Sequence, residues 1–465
     1  MKLRGRWRLA LVLSLVCLVL GAATLAAGWM ACDILGKTPA ELIDYGKHRL
    51  HGHARAEMVT LPVLNALRRV LADEDETEAL LPFAVPPLPP NPGTGAVSGP
   101  PDSARVIRVG PGRAISRIGV AAQVARDGDV IEIEPGDYVA DVAKWEQAHI
   151  TIRGLGNRVR LIAQGANMEG KGIWVFRSHH AVVENIQFVG ARASDRNGAG
   201  IRLERGHLLV KGCSFLNSEN GILTSSEPAT SLEVEDSDFG YNGAGDGLSH
   251  GIYVGRIDSF RLTGSYLHHG NVGHLVKSRA RTNRIEYNRI SDESGGRSSY
   301  EIDLPNGGTA EVVGNIIQKG RGARNSALVS FGAEGYRWPS NELRMAHNTF
   351  VNDLRLGGSF LRVAPGASLV ELRNNVFVGP GKIGGGAVLD AAGDRHLDWP
   401  DLVRPAREDY RLNERTRAEL AAVPLAAEAA ALVPRFEYQH PASVVPLRSP
   451  PSFPGALQSG AAPAL

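Results

Sequence analysis

The feature that most restricts this chain is a repeat. Eight segments, "VVENIQF", "LLVKGCSF", "LEVEDSDF", "FRLTGSYL", "RIEYNRI", "EVVGNII", "LRMAHNTF" and "VELRNNVF", close on Phe188, Phe215, Phe239, Leu267, Ile290, Ile317, Phe350 and Phe377. Their spacings of 27, 24, 28, 23, 27, 33 and 27 residues suit a solenoid, whose repeat cannot bury its apolar face alone. One coil per repeat is expected, and the longest spacing predicts a loop over residues 332–341. Two positions before the closing residues stand Ile186, Cys213, Ser237, Ser265, Asn288, Asn315, Asn348 and Asn375. Stacked Asn side chains can hydrogen-bond along an axis, so this column is read as an internal ladder.

Between the repeats lies a second strand set, "GIRL", "GILTS", "GIYV", "LVKS", "EIDL", "ALVSF" and "FLRV". Period-two alternation turns Ile201, Ile222, Ile252, Val276, Ile302 and Val329 inward. Arg202, Leu223, Tyr253, Lys277, Asp303, Ser330 and Arg362 then form an outward column. The 54 glycines among 465 residues exceed the usual share of about 7%, as a turn-rich β architecture requires.

The segment opening "VIRVGPGRAISRIGVAAQVARDGDVIEIEPGDY" reads as a short strand, a helix over about residues 116–125 and another strand. It resembles the N-terminal cap of pectate-lyase-like right-handed parallel β-helices. Over about residues 105–380 the chain is also similar to a group of proteobacterial, membrane-anchored β-helix proteins. "NGAGIRL", "ENGILT", "VGHLVKSRA" and "SYEIDLPNGG" carry that likeness. The expected fold is all-β: a single-stranded right-handed parallel β-helix with an N-terminal capping helix, preceded by a transmembrane helix.

Residues 1–8 form a basic flank with Lys2, Arg4, Arg6 and Arg8, and residues 9–32 are an uncharged run of 24. About 20 apolar residues cross a bilayer, whereas a cleavable signal has an apolar core of about 7 to 15, so we read an anchor. The positive-inside rule places the rest of the chain in the periplasm, attached to the inner membrane. Cleavage among the small residues at 22–27, with secretion, is the alternative. Residues 33–80 read as a short helical stalk, 81–103 as a Pro/Gly-rich linker, 104–413 as the β-helix, and 414–465 as an Ala/Pro-rich cap and tail. Three cysteines, two of them in the apolar run, exclude a disulfide framework, and a formal charge of +2 gives no reason to expect nucleic acid.

Polar residues gather on three consecutive repeats: His250, Tyr253, His274, Lys277, Arg279, Tyr300, Glu301 and Asp303. The superfamily resemblance implies an acidic polysaccharide cleaved by β-elimination, with a Lys or Arg base and often Ca²⁺ held by carboxylates. Carried over, Lys277 is the base, Arg279 and His274 assist it, Glu301 and Asp303 hold the cation, and His250, Tyr253 and Tyr300 contact sugar. An epimerase on acidic sugars would share that base chemistry, although its "DPHD"-like segment is absent. A free lysine titrates near about 10.4, so Lys277 needs a lowered pKa, and a direct Asp303 contact would tie it up. The competing reading is a non-catalytic carbohydrate-binding or structural scaffold whose charges are ion pairs between coils.

Overall fold

The computed structural model describes residues 104–459 apart from 157–158 and 386–388, together with residues 43, 60–64, 66 and 83–87. The predicted membrane segment and most of the stalk lie outside these. Among the described residues no helix is long and apolar enough to cross a membrane.

The chain winds as a parallel β-helix with three strands per coil. One coil runs His207–Lys211, Ser214–Leu216 and Asn220–Thr224 before the next begins at Ser231–Glu235. Equivalent strands pair in parallel into three sheets of 12, 11 and 10 strands, which we call the first, second and third in chain order. A helix at Ile118–Val124 lies beside the first strands and buries Ile118, Ala121 and Ala122.

The repeat alignment is the register of the second sheet. Phe188, Phe215, Phe239, Leu267, Ile290, Ile317, Phe350 and Phe377 are successive partners. Where the repeat keeps Phe, the rings stack, with centroids 5.0 Å apart for Phe188 and Phe215 and 4.7 Å for Phe215 and Phe239. Each ring is buried, so the stack adds ring contact to the apolar area already removed from water.

Beside it runs the predicted ladder. Backbone N–H groups of Ser265, Asn288, Asn315 and Asn348 donate to the side-chain oxygens of Asn288, Asn315, Asn348 and Asn375 at 2.8, 3.0, 3.0 and 3.0 Å. The amides of Asn288, Asn315 and Asn348 donate to the same oxygens of the next coil. These buried backbone donors are satisfied in this way.

The coils continue past Pro380, where the repeat fades in sequence, through strands Lys382–Gly385, Leu389–Ala392 and Arg395–Leu397. Residues 414–459, read as a cap and tail, run back along the flank. Leu432 packs on Tyr287 and Val313, while Phe453 and Ala456 pack on Val351 and Val376.

Candidate functional site

The outward column of the third sheet is as the alternation requires. Arg202, Leu223, Tyr253, Lys277, Asp303, Ser330 and Arg362 are register partners on successive strands. Parallel strands lie about 4.8 Å apart, so Tyr253, Lys277 and Asp303 are neighbours although 24 and 26 residues separate them. Their inward companions Ile252, Val276 and Ile302 are fully buried.

Lys277 meets Asp303 after all. Its Nζ lies 3.4 Å from Asp303 Oδ2 and 3.0 Å from Glu334 Oε1. Arg279 donates from one nitrogen to the Tyr253 hydroxyl at 2.7 Å and from another to Glu334 Oε2 at 2.6 Å. The Arg279 guanidinium also sits over the Tyr253 ring, 5.2 Å from its centroid. Glu334 comes from the long loop between strands Ala327–Phe331 and Glu342–Ala346. The long spacing predicts that loop, but no residue in it is named as a partner of the cluster.

His250, His274 and Tyr300 share the parity of the core column yet reach this face, because the chain turns a corner just before each strand. There they form a second ladder. The backbone N–H of His250 donates to Asn220 Oδ1 at 2.8 Å, that of His274 to His250 Nδ1 at 3.0 Å, and that of Tyr300 to His274 Nδ1 at 3.3 Å. An Nδ1 that accepts carries no proton, so each ring proton sits on Nε2. The two imidazoles stack with centroids 4.5 Å apart, and His274 Nε2 lies 3.6 Å from Asp303 Oδ2. Burial first, then the nearby cations, holds both histidines well below the usual imidazole range. They are neutral backbone acceptors, which corrects His274 as a cationic assistant to a base.

Glu301 is also corrected. Alternation places it beside Asp303, but it aligns with Gly251, Leu275 and Leu328, and both leucines belong to the core. At the corner two consecutive residues point inward. Glu301 is therefore wholly buried, accepts from Ser298 Oγ at 2.8 Å and lies 2.9 Å from Lys319 Nζ, itself without exposure. Burial pushes its carboxyl up to about 8 against the pull of Lys319. Burial likewise pushes Asp303 up to about 6, opposed by Lys277.

These residues do not fit Ca²⁺. A hard cation wants six to eight oxygen ligands, whereas Asp303 meets an ammonium and an imidazole, and Glu301 faces Lys319 in the core. Among the described residues no group of three or more His, Cys, Asp or Glu side chains is placed to hold a metal.

An open cleft of about 610 Å³ runs over the outer face beside this cluster. Arg202, Tyr253, Arg256, Arg279, Glu334 and Arg337 are among its lining residues, and Glu334 is the one carboxylate in that lining. Arg202 is matched by Glu204 at 2.7 Å, but no carboxylate pairs with Arg256 or Arg337 among the described residues. Of the three sugar-contact candidates, Tyr253 lines the cleft; His250 and Tyr300 lie in the ladder behind it.

Pectate lyase Pel9A is similar in structure, with a TM-score of 0.51 and 12% identity over 77% of this chain and 97% of that one. An alginate lyase from Paenibacillus follows at a TM-score of 0.45 and 15% identity, covering 63% of this chain and 99% of the other. No protein-family model matches the chain, and no curated protein matches it. At such identity the likeness to the pectate lyase shows the fold alone, a right-handed parallel β-helix.

Proposed function

We propose that this β-helix binds an acidic polysaccharide of the cell envelope or extracellular matrix in the cleft beside Tyr253. The observation that carries the reading is the charge of that cleft: four arginines against one carboxylate. The exposed side chains of Arg256 and Arg337 have no carboxylate partner among the described residues and are ready for anionic groups spaced along a chain. Tyr253 offers a ring as a sugar platform. In the same reading residues 9–32 tether the domain to the inner membrane, the β-helix faces the periplasm, and the helix at Ile118–Val124 covers the first coil.

Binding is favoured over elimination or epimerisation by the state of Lys277. An ammonium held by two carboxylates at 3.0 and 3.4 Å has no lone pair with which to take a carbon-bound proton. Incubation with a panel of acidic polysaccharides, with and without Ca²⁺, tests both steps. Saturable binding to an acidic chain, weakened by salt and without unsaturated products, is expected. Ultraviolet-absorbing unsaturated uronates would replace binding with lyase chemistry, and equal affinity for neutral polysaccharides would remove the charge argument.

A further inference from the structure

Glu334 occupies an unusual position for a structural partner. Its two carboxylate oxygens are divided between two cations of one strand end, Oε1 to Lys277 at 3.0 Å and Oε2 to Arg279 at 2.6 Å. The cations are sunk into the face, with side chains 11% and 17% exposed, whereas the Glu334 side chain is 45% exposed. The anion thus reaches down from solvent onto a cradle that other groups keep in place. Asp303 holds Lys277, the Tyr253 hydroxyl and ring hold Arg279, and Trp338 Nε1 donates to the Arg279 carbonyl at 3.1 Å.

The loop is anchored independently of that carboxylate. The backbone N–H groups of Glu334 and Arg337 donate to the Pro305 and Asn306 carbonyls at 3.0 Å each, and Tyr336 Oη donates to the Ala364 carbonyl at 2.7 Å. Rotation of the Glu334 side chain alone would vacate the cradle, leaving the loop backbone where it is. Half-exposed ion pairs are weak, so an incoming carboxylate of the same charge and shape can replace this one.

We infer that the point held by the Glu334 carboxylate is the subsite for a sugar carboxylate, and that Glu334 is its resident stand-in, displaced when ligand binds. This rests on the acidic-polysaccharide reading and adds the ligand group, a free uronate carboxylate, and the residue that competes with it. The cradle of Lys277 and Arg279 then reads one carboxylate while Arg256 and Arg337 meet others along the chain.

The test is calorimetric titration of the full chain, wild type and Glu334→Gln, with oligogalacturonate and with its methyl-esterified counterpart of equal length. Equal melting temperatures establish that the variant is folded. Removing the competitor is expected to tighten Kd for the free acid about three- to thirtyfold, the range two weak ion pairs imply, and to leave the ester unchanged. If the wild type binds the acid and Glu334→Gln binds it equally or more weakly, the stand-in is overturned while the binding reading survives. Equal tightening for acid and ester overturns the carboxylate subsite. If neither protein binds either oligosaccharide or any other acidic chain, the reading of the cleft fails and the stand-in with it.

Discussion

Replacing Lys277 by Met keeps the length of the side chain and removes the charge that sits 3.4 Å from Asp303. Asp303 is buried, and its carboxyl stands at about 6 because burial raises it and Lys277 opposes the rise. Without the ammonium that opposition is lost, so the carboxyl moves higher. A carboxyl whose folded-state pKa is raised loses stability as pH climbs from its unfolded value to its folded one. In the wild type this loss ends near pH 6; in Lys277→Met it continues upward. Two further pH units at about 1.4 kcal/mol each give an extra penalty of up to about 3 kcal/mol at pH 8 over that at pH 5. Denaturant titration of both proteins at pH 5, 6, 7 and 8 measures it. The double variant Lys277→Met with Asp303→Leu is expected to lose the pH dependence, since a buried ion pair replaced whole by apolar groups costs little. A Lys277→Met penalty that is the same at pH 5 and pH 8 would refute the reasoning, because Asp303 would then not be the charge that Lys277 neutralises.

Other outcomes follow from the same geometry. Asn315→Ala strands the backbone N–H of Asn288 and the carbonyl of Ile285, both buried, at about 1 to 3 kcal/mol each. Asn315→Ser is expected to cost less, because Ser265 in the same column accepts the Ser237 N–H at 3.2 Å; equal losses in urea denaturation would discard the ladder as the cause. For Glu301, whose carboxyl burial lifts to about 8, stability relative to Glu301→Gln should fall as pH rises from about 4.5 to 8. A wild type that gains on the variant over that range would show that the Lys319 pair outweighs burial. Arg256→Ala and Arg337→Ala should each weaken binding to acidic polysaccharide and flatten its salt dependence without moving Tm; unchanged affinity in both would place the ligand elsewhere.

The parts legible in the sequence are those where one strand copies another. Phe188 to Phe377 and Arg202 to Arg362 could be aligned by residue type alone, and each is a register column. Alternation failed at the corner, where Glu301 follows Leu275 and Leu328 into the core and His250 and His274 turn toward the site. Period two assumes an extended chain, and a bend between the ladder position and the strand reverses the sense of both. Glu334 was hidden for another reason. It belongs to a loop with no counterpart in other coils, so no column could point to it, and its partners lie 55 and 57 residues back. The repeat fades after Pro380 because His396 stands where the preceding coils close on an apolar residue, although the strands continue.

The two ladders differ in what they join. From Asn288 to Asn375 one residue type hands its amide to another of the same kind, so a coil beyond the loop that carries Glu334 could be deleted whole or duplicated and the seam would close on a familiar partner. From Asn220 to Tyr300 the ladder passes through Asn, His, His and Tyr, and the strands beside them carry Tyr253, Lys277 and Asp303 once each. The coils C-terminal to that loop are expected to change in number more readily than those that carry Tyr253, Lys277, Asp303 and Glu334. Descendants of such a chain should differ in length toward one end and agree in the coils from Arg202 to Glu334 that line the cleft.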